Sequence, residues 1–238
     1  VHFGHLKKKW NPKMSPYVFM EKNKIHIIDL NKTISKLEEA CRSLKQIAKS
    51  GKKILFVATK KQAKSIVAES AKSLNMPYIT ERWPGGLLTN FSTIRKSIKK
   101  MNSIDTMKED GTFDTLSKRE KLQIERTREK LELNFGSIEN MNRIPEAIFV
   151  VDINKEHIAV AEANKLGMRS YAMVDTNTNP KLVNFPIPAN DDSTKSISKI
   201  MQIISESIAE GLSERSKTIE EKAKIKQEKA KEILNKDN

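Results

Sequence analysis

The chain has 238 residues, 37% of them apolar, enough for the core of one large domain or two small ones and too many for a disordered chain. Lys and Arg outnumber Asp and Glu by 44 to 30, a net charge of +14, which points to a polyanionic partner, nucleic acid or an anionic membrane surface. No run approaches the ~20 apolar residues of a membrane-spanning helix or the apolar stretch of a secretory signal, and Cys41 alone cannot close an intrachain disulfide, which suits a reducing compartment.

The opening Val1, in place of Met, leads us to expect residues upstream. Residues 1–29 read as an irregular basic arm. His2 and His5 are spaced as metal ligands can be, but two ligands do not make a tetrahedral zinc site and no nearby Cys or His completes one, so we expect no metal. Lys7, Lys8, Lys9 and Lys13 flank Trp10 and Asn11, which joins phosphate-seeking charge to a stacking surface as RNA binding requires; a plain solvated arm is the alternative. Val18–Met20 and Ile25–Ile28 around Glu21–Lys24 suggest a small hairpin. A helix follows from Asp29 or Asn31 to about Ser50, with Ile34, Leu37, Ala40, Cys41, Leu44, Ile47 and Ala48 on its apolar stripe. On that stripe Cys41 reads as a small buried residue, not a nucleophile.

Ile54–Ala58 is a continuous apolar run of the kind that forms parallel strands covered on both faces. A helix from about Lys60 and a short strand at Tyr78-Ile79 continue a β-α-β order. A nucleotide-binding enzyme would carry glycines at Thr59, yet neither G-x-G-x-x-G nor G-x-x-x-x-G-K occurs in the chain, which argues against both common nucleotide folds. The turn at 81–91 holds Arg82, Trp83, Gly85, Gly86, Thr89 and Asn90. Two readings stay open there: an anion cradle at a helix N-terminus, with Thr89 or Asn90 as its cap, or a tight turn with Trp83 and Phe91 packed as core.

Residues 92–142 read as an antiparallel helical hairpin, with Arg95, Lys96, Lys99 and Lys100 around its first apolar stripe and Ser117–Glu120 as a capping box opening the second helix. The β-α alternation resumes at Ala147–Asp152, with Asn154 as the cap of the next helix. It continues through Ser170–Val174, ending in Asp175-Thr176-Asn177, and Pro186–Pro188, followed by Asn190-Asp191-Asp192 before a last helix. Asp152, Asp175, Asp191 and Asp192 thus fall at strand ends or a helix start. Clustered acids there can hold Mg²⁺ for phosphoryl chemistry; we weigh capping and turn roles above that, because each acid has a turn or helix start to serve. No nucleophile elbow accompanies them. Residues 213–238 are rich in Lys, Glu and Ala and read as a fraying helix or a disordered tail.

Taken in order, His2-Phe3-Gly4-His5, Trp10-Asn11-Pro12-Lys13-Met14, Ile25–Leu30, Arg82-Trp83 through Gly85-Gly86 to Thr89-Asn90-Phe91, Phe149–Asp152, Asp175-Thr176-Asn177 and Pro186-Ile187-Pro188 with Asn190-Asp191-Asp192 closely resemble the bacterial small-subunit ribosomal protein two family, over roughly residues 1–210. The resemblance implies an α/β fold, a flavodoxin-like parallel sheet with helices on both faces and an inserted antiparallel coiled-coil hairpin. The core would comprise 1–91 and 143–212, the insertion 92–142 and the tail 213–238. It implies a non-catalytic, cofactor-free constituent of the cytoplasmic ribosome, with no membrane or small-molecule partner. Its partners would be small-subunit ribosomal RNA and neighbouring ribosomal proteins, including the large mRNA-binding ribosomal protein one. On that reading Lys7, Lys8, Lys9, Trp10, Asn11, Lys13, Arg82, Thr89, Asn90, Arg95, Lys96 and Lys99 are the candidate RNA contacts. Gly85, Gly86, Asp152, Asp175, Asn177, Asn190, Asp191 and Asp192 are turn and cap residues. Two rivals remain: an enzyme or signalling domain using the strand-end acids, and a scaffold whose hairpin binds proteins only.

Overall fold

The computed structural model describes residues 1–234, with side chains through residue 221. The N-terminal arm is more regular than its sequence suggests: Phe3–Leu6 (β1), Val18–Lys22 (β2) and Ile25–Ile28 (β3) form a small antiparallel sheet in the order β1-β3-β2. The expected hairpin is β2–β3, turned by Asn23 and Lys24 at φ of 52° and 63°. β1 is too short and too polar in context to be read from pattern alone; its pairing with β3 supplies the strand.

Helix α1 (Leu30–Lys49) is capped by Asp29, which accepts from the Asn31 N–H at 3.0 Å, and ends at Gly51 with φ +77°. Its buried face starts one residue earlier than periodicity suggests. Ile34 is exposed and Thr33 is buried, donating its hydroxyl to the Pro188 carbonyl at 2.6 Å. β4 (Ile54–Val57), α2 (Lys61–Ser73) and β5 (Tyr78–Ile79) follow, then α3 (Phe91–Glu109) and α4 (Lys118–Phe135). β6 (Ala147–Val151), α5 (His157–Lys165), β7 (Arg169–Val174), β8 (Phe185–Pro188) and α6 (Thr194–Leu234) complete the chain. α6 runs through residue 212 without a break; residues 235–238 of the expected tail lie outside the described residues.

The five later strands pair in parallel in the order β5-β4-β6-β7-β8, the flavodoxin-like arrangement. Strand pleating divides their side chains between two cores. Ile54, Phe56, Phe149, Tyr171, Met173 and Ile187 face α1, α2 and α6. Leu55, Val57, Ile148, Val150, Ala172 and Val174 face α5, the Trp83 turn and the base of α3. The prolines of β8 sit on the sheet edge, where a missing N–H costs no ladder bond. α1 and α6 cross closely enough that a Cβ on Gly211 would lie 2.5 Å from the Lys45 carbonyl oxygen; glycine is required there by space.

α3 and α4 stand between β5 and β6 in sequence. The connection turns at Gly111, φ +75°, and α4 opens on the capping box of Ser117 and Glu120, with both reciprocal bonds present. α3 buries Ile94, Ile98, Met101 and Ile104. Arg128 of α4 ion-pairs with Asp105 of α3. α4 contributes no buried residue, so the coiled-coil reading rests on the near-heptad spacing of Ile124, Leu131, Phe135 and Ile138 in the sequence.

Candidate functional site

β4 and β6 are adjacent in the sheet, and the chain leaves them in opposite directions, towards β5 and towards β7. In an open α/β sheet that switch point, at the carboxyl ends of the strands, is where ligands bind. Here Lys60, just after β4, reaches in among the strand-end acids. Its Nζ lies 3.2 Å from Asp152 Oδ2, 2.7 Å from Asp191 Oδ1 and 2.6 Å from Asp192 Oδ1. Burial alone would depress the Lys60 ammonium, but the three carboxylates outweigh it and hold the group above its ordinary range. Burial and the Asp152 charge push Asp191 up to about 7 against the pull of Lys60. Asp192 is held below its usual range: burial opposes this, and the Lys60 contact overcomes it.

The backbone around the crevice is fixed by neighbouring polar groups. Asp152 sits at φ +70° and its Oδ1 accepts from the Asn154 and Lys155 N–H groups at 3.1 and 3.2 Å, an Asx turn. α5 therefore begins later than an Asn154 cap implies, at His157, with Glu156 at its N-cap. The Glu156 carboxylate serves β4 instead, accepting from Thr59 N–H at 2.8 Å and Thr59 Oγ1 at 2.5 Å. Asn190 does cap α6's approach, accepting from the N–H groups of Asp192 and Ser193 at 3.0 and 2.7 Å. Asn177 gives its carbonyl to Asn154 Nδ2 at 3.3 Å.

The N-terminal arm lies over this crevice. Thr176 receives it twice: the Asn11 N–H donates to the Thr176 carbonyl and the His5 N–H to Thr176 Oγ1, both at 2.8 Å. Asn190 donates its N–H to the Val1 carbonyl at 2.9 Å and its side-chain amide to the Phe3 carbonyl. A Cβ on Gly4 would lie 2.5 Å from Thr176 Cγ2, so the close approach requires glycine. His2 and His5 part company. His2 stacks on Phe3 at 4.3 Å, whereas His5 Nε2 lies 3.8 Å from Asp175 Oδ2 and 3.5 Å from Asp192 Oδ2.

His5, Asp175, Asp191 and Asp192 thus offer four ligand atoms within 4.8 Å of one another. The other carboxylate oxygens are already held: Asp175 Oδ1 by the Thr176 N–H at 2.5 Å, and Asp191 and Asp192 Oδ1 by Lys60. Asp191 Oδ2 is buried without a hydrogen-bond partner among the described residues. One imidazole nitrogen and three carboxylate oxygens can hold a divalent cation.

The candidate RNA-contact residues separate into free and committed groups. Lys8, Lys9, Lys13, Lys96 and Lys99 are exposed, with no acid in ion-pairing reach among the described residues. Lys7 pairs with Glu21 at 2.7 Å. Trp10 is half-buried and stacks one face on His26 at 4.7 Å. Asn11 accepts from the Lys13 N–H at 3.0 Å, and Arg95 donates to Asn142 Oδ1 at 2.8 Å. Asn90 stands at the N-cap of α3, but its Oδ1 takes the hydroxyls of Thr93 and Ser92 rather than a backbone N–H. Arg82 is exposed at the rim of a groove beneath α4.

The Gly-Gly turn is an anion cradle, and the anion it holds is internal. Glu162, from the buried face of α5, accepts from Trp83 Nε1 at 3.0 Å and from the N–H groups of Gly86, Leu88 and Thr89 at 2.8, 3.0 and 3.1 Å. Thr89 Oγ1 adds a fifth contact at 3.2 Å. Gly86 reaches this geometry at φ +83°; Gly85 faces open space. Burial opposes ionisation of Glu162, but the Trp83 bond and the three backbone donors outweigh it and hold the carboxyl below its usual range. The signal for Glu162 in the sequence is slight: a lone acid between Val160 and Ala163 on the apolar stripe of α5.

A family model described as Ribosomal protein S2 matches residues 1–211. Curated relatives named small ribosomal subunit protein uS2 are similar over most of the chain. The one from Flavobacterium johnsoniae is 64% identical over 215 residues, 90% of this chain and 85% of its own length. That from Parabacteroides distasonis is 64% identical, over 90% of this chain and 77% of its own. That from Bacteroides thetaiotaomicron is 62% identical, with the same two coverages.

Proposed function

We propose that this chain, which belongs to the ribosomal protein S2 family, works by attachment: it docks on small-subunit ribosomal RNA through its basic arm and helps hold the large mRNA-binding ribosomal protein one. Family membership makes it a structural protein of the small ribosomal subunit rather than an enzyme. Among the described residues no helix is long and apolar enough to cross a membrane; it is membership of a ribosomal protein family that makes RNA the polyanion matched to the net charge.

The observation that carries the RNA reading is the pinned arm. Backbone hydrogen bonds to Thr176 and Asn190 fix residues 1–11 on the sheet, so Lys8, Lys9 and Lys13 project from a rigid support. A pre-ordered cation patch loses little entropy on binding phosphate. Lys96 and Lys99 on α3 extend the same sign of charge. Replacing Lys8, Lys9 and Lys13 together by Glu is expected to weaken association with small subunits lacking this protein about a hundredfold. Sedimentation reads the loss. The unaltered chain, neutralising about six phosphates, should lose about three decades of affinity between ~50 and ~200 mM salt. A flat salt dependence sinks the docking reading. Unchanged sedimentation of the triple variant favours the protein-only scaffold.

A second reading concerns the crevice under the arm, and Asp191 Oδ2 favours it. A buried carboxylate oxygen with no partner among the described residues, on an acid that offers a ligand atom within 4.8 Å of those of His5, Asp175 and Asp192, suits a divalent cation that clamps arm to sheet. Calorimetry with Zn²⁺ or Mg²⁺ should find one site per chain that disappears in Asp191→Asn. Absence of heat from the unaltered protein removes this reading.

A further inference from the structure

The groove between α4 and the sheet, about 1380 Å³ in volume, brings cations and aliphatic side chains together in one lining. One stripe of α4, Arg119, Leu122, Arg126 and Lys130, forms a wall at helical spacing. Arg82 and Pro84 form a second wall, and Lys155 and Ile158 the base of a third. Leu122 is 49% exposed and Ile158 46%, so the groove presents aliphatic surface that nothing among the described residues covers.

Its charge is equally unanswered. None of the five cations is in an ion pair among the described residues; Lys155 donates only to the Thr59 carbonyl at 2.9 Å. The two acids in the lining are committed elsewhere, Glu81 to Lys64 at 2.7 Å and Glu156 to Thr59. Three of the four acids of α4 are also drawn away: Glu120 closes the capping box, Glu125 lies 4.0 Å from Lys108, and Glu132 pairs with Arg128 at 2.6 Å. The fourth, Glu129, is exposed and outside the groove lining. Cations elsewhere divide: Lys45 pairs with Glu210 and Glu214, whereas Lys8, Lys9, Lys13, Lys96 and Lys99 are unpaired among the described residues. The groove differs in gathering its cations around aliphatic surface.

We infer that this groove is the docking site of an acidic amphipathic helix from a neighbouring protein of the small subunit, its aliphatic face on Leu122 and Ile158 and its carboxylates on Arg82, Arg119, Arg126, Lys130 and Lys155. The inference rests on the reading of the chain as a small-subunit protein. From Arg119 to Asn134 the wall is about 22 Å long at 1.5 Å per residue, room for some four helical turns. Anchors at three- and four-residue spacing are how a helix fills such a groove. A single strand held through stacked bases fits less well: it needs open aromatic faces, and here Trp83 is buried with its indole N–H on Glu162, leaving half-buried Phe135. RNA held by its phosphates alone would leave the aliphatic side chains of Leu122 and Ile158 uncovered.

Small subunits assembled in cells with p-benzoylphenylalanine in place of Leu122 test this directly, by irradiation and mass spectrometry of the crosslinked fragment. The expected product is a protein segment with apolar residues at three- and four-residue spacing flanked by Asp or Glu. Adding Arg119→Glu and Arg126→Glu to that chain should cut the yield at least tenfold while co-sedimentation with the subunit persists. A crosslink to ribosomal RNA, no protein crosslink, or a yield unmoved by charge reversal overturns the proposal. So does loss of co-sedimentation on charge reversal, which would make the groove part of the RNA contact. Failure of the unaltered chain to sediment with small subunits would remove the attachment reading beneath it.

Discussion

Replacing Glu162 by alanine is expected to destabilise the protein by about 3–5 kcal/mol, because it strips the acceptor from a set of buried and half-buried donors. Trp83 Nε1 and the N–H groups of Gly86, Leu88 and Thr89 all end on this carboxylate. Water cannot readily replace it beside Trp83 and Leu88, which are 6% and 1% exposed. Each stranded donor costs about 1–3 kcal/mol, and the sum is not additive since the turn can relax. Thermal unfolding should show a fall of about 10 °C for a chain of this size. Glu162→Gln should recover little, since one amide oxygen faces five donors and its NH₂ brings two more. The pH dependence has a fixed sign. The folded-state pKa lies below the ordinary 4.5, so Glu162's contribution is whole above about pH 4.5 and lost as pH falls through the folded value. The alanine variant should lose less stability over that acid window than the parent; equal slopes would remove the ionised-acceptor account.

Glu162 also marks the boundary of what the sequence discloses. The strands were legible because Ile54–Val57 and Ala147–Val151 are apolar on both faces, a local property of the run. The sheet's parallel order followed from the β-α alternation and the family resemblance. Residues whose partners are distant in sequence were not legible. Thr33 displaces Ile34 from the buried face of α1 because it has a carbonyl to bond 155 residues away. Ile158 looks like core and is exposed in the first turn of α5. Lys60 reads as one more surface lysine until β6 and β8 bring three acids to it. His5 lies about 170 residues or more from Asp175, Asp191 and Asp192 in sequence, so no spacing rule could join them. β1 exists because β3 offers an edge. In each case the sequence holds the residue, and the fold alone supplies its partner.

Lys60→Met should cost a further large amount, about 3–5 kcal/mol, for the opposite electrostatic reason: it removes the cation and leaves the acids. The side chains of Lys60 and Asp191 are 12% and 1% exposed, so water screens the pair poorly. Without the ammonium, Asp191 would face Asp152 and Asp175 as bare like charges. It would have to lose its charge or open the crevice to solvent. Methionine keeps the length and apolar stem of lysine, so lost packing is a small part of the effect. The sign with pH follows from Asp191, whose folded pKa is already raised to about 7. A carboxyl raised in this way contributes stability below its unfolded pKa and loses it as pH rises through the folded one. The Lys60→Met deficit should therefore be larger at pH 8 than at pH 5. Asp191→Asn in the same chain should restore part of the loss, giving a coupling energy of about 1–3 kcal/mol in a double-mutant cycle. A deficit that is the same at both pH values, or strict additivity with Asp191→Asn, would mean that Lys60 acts through its packing and that the strand-end acids are held apart by something else. If the coupling is found, the crevice where open α/β sheets bind ligands is filled here from within by Lys60, and the arm laid across it is held by Thr176 and Asn190.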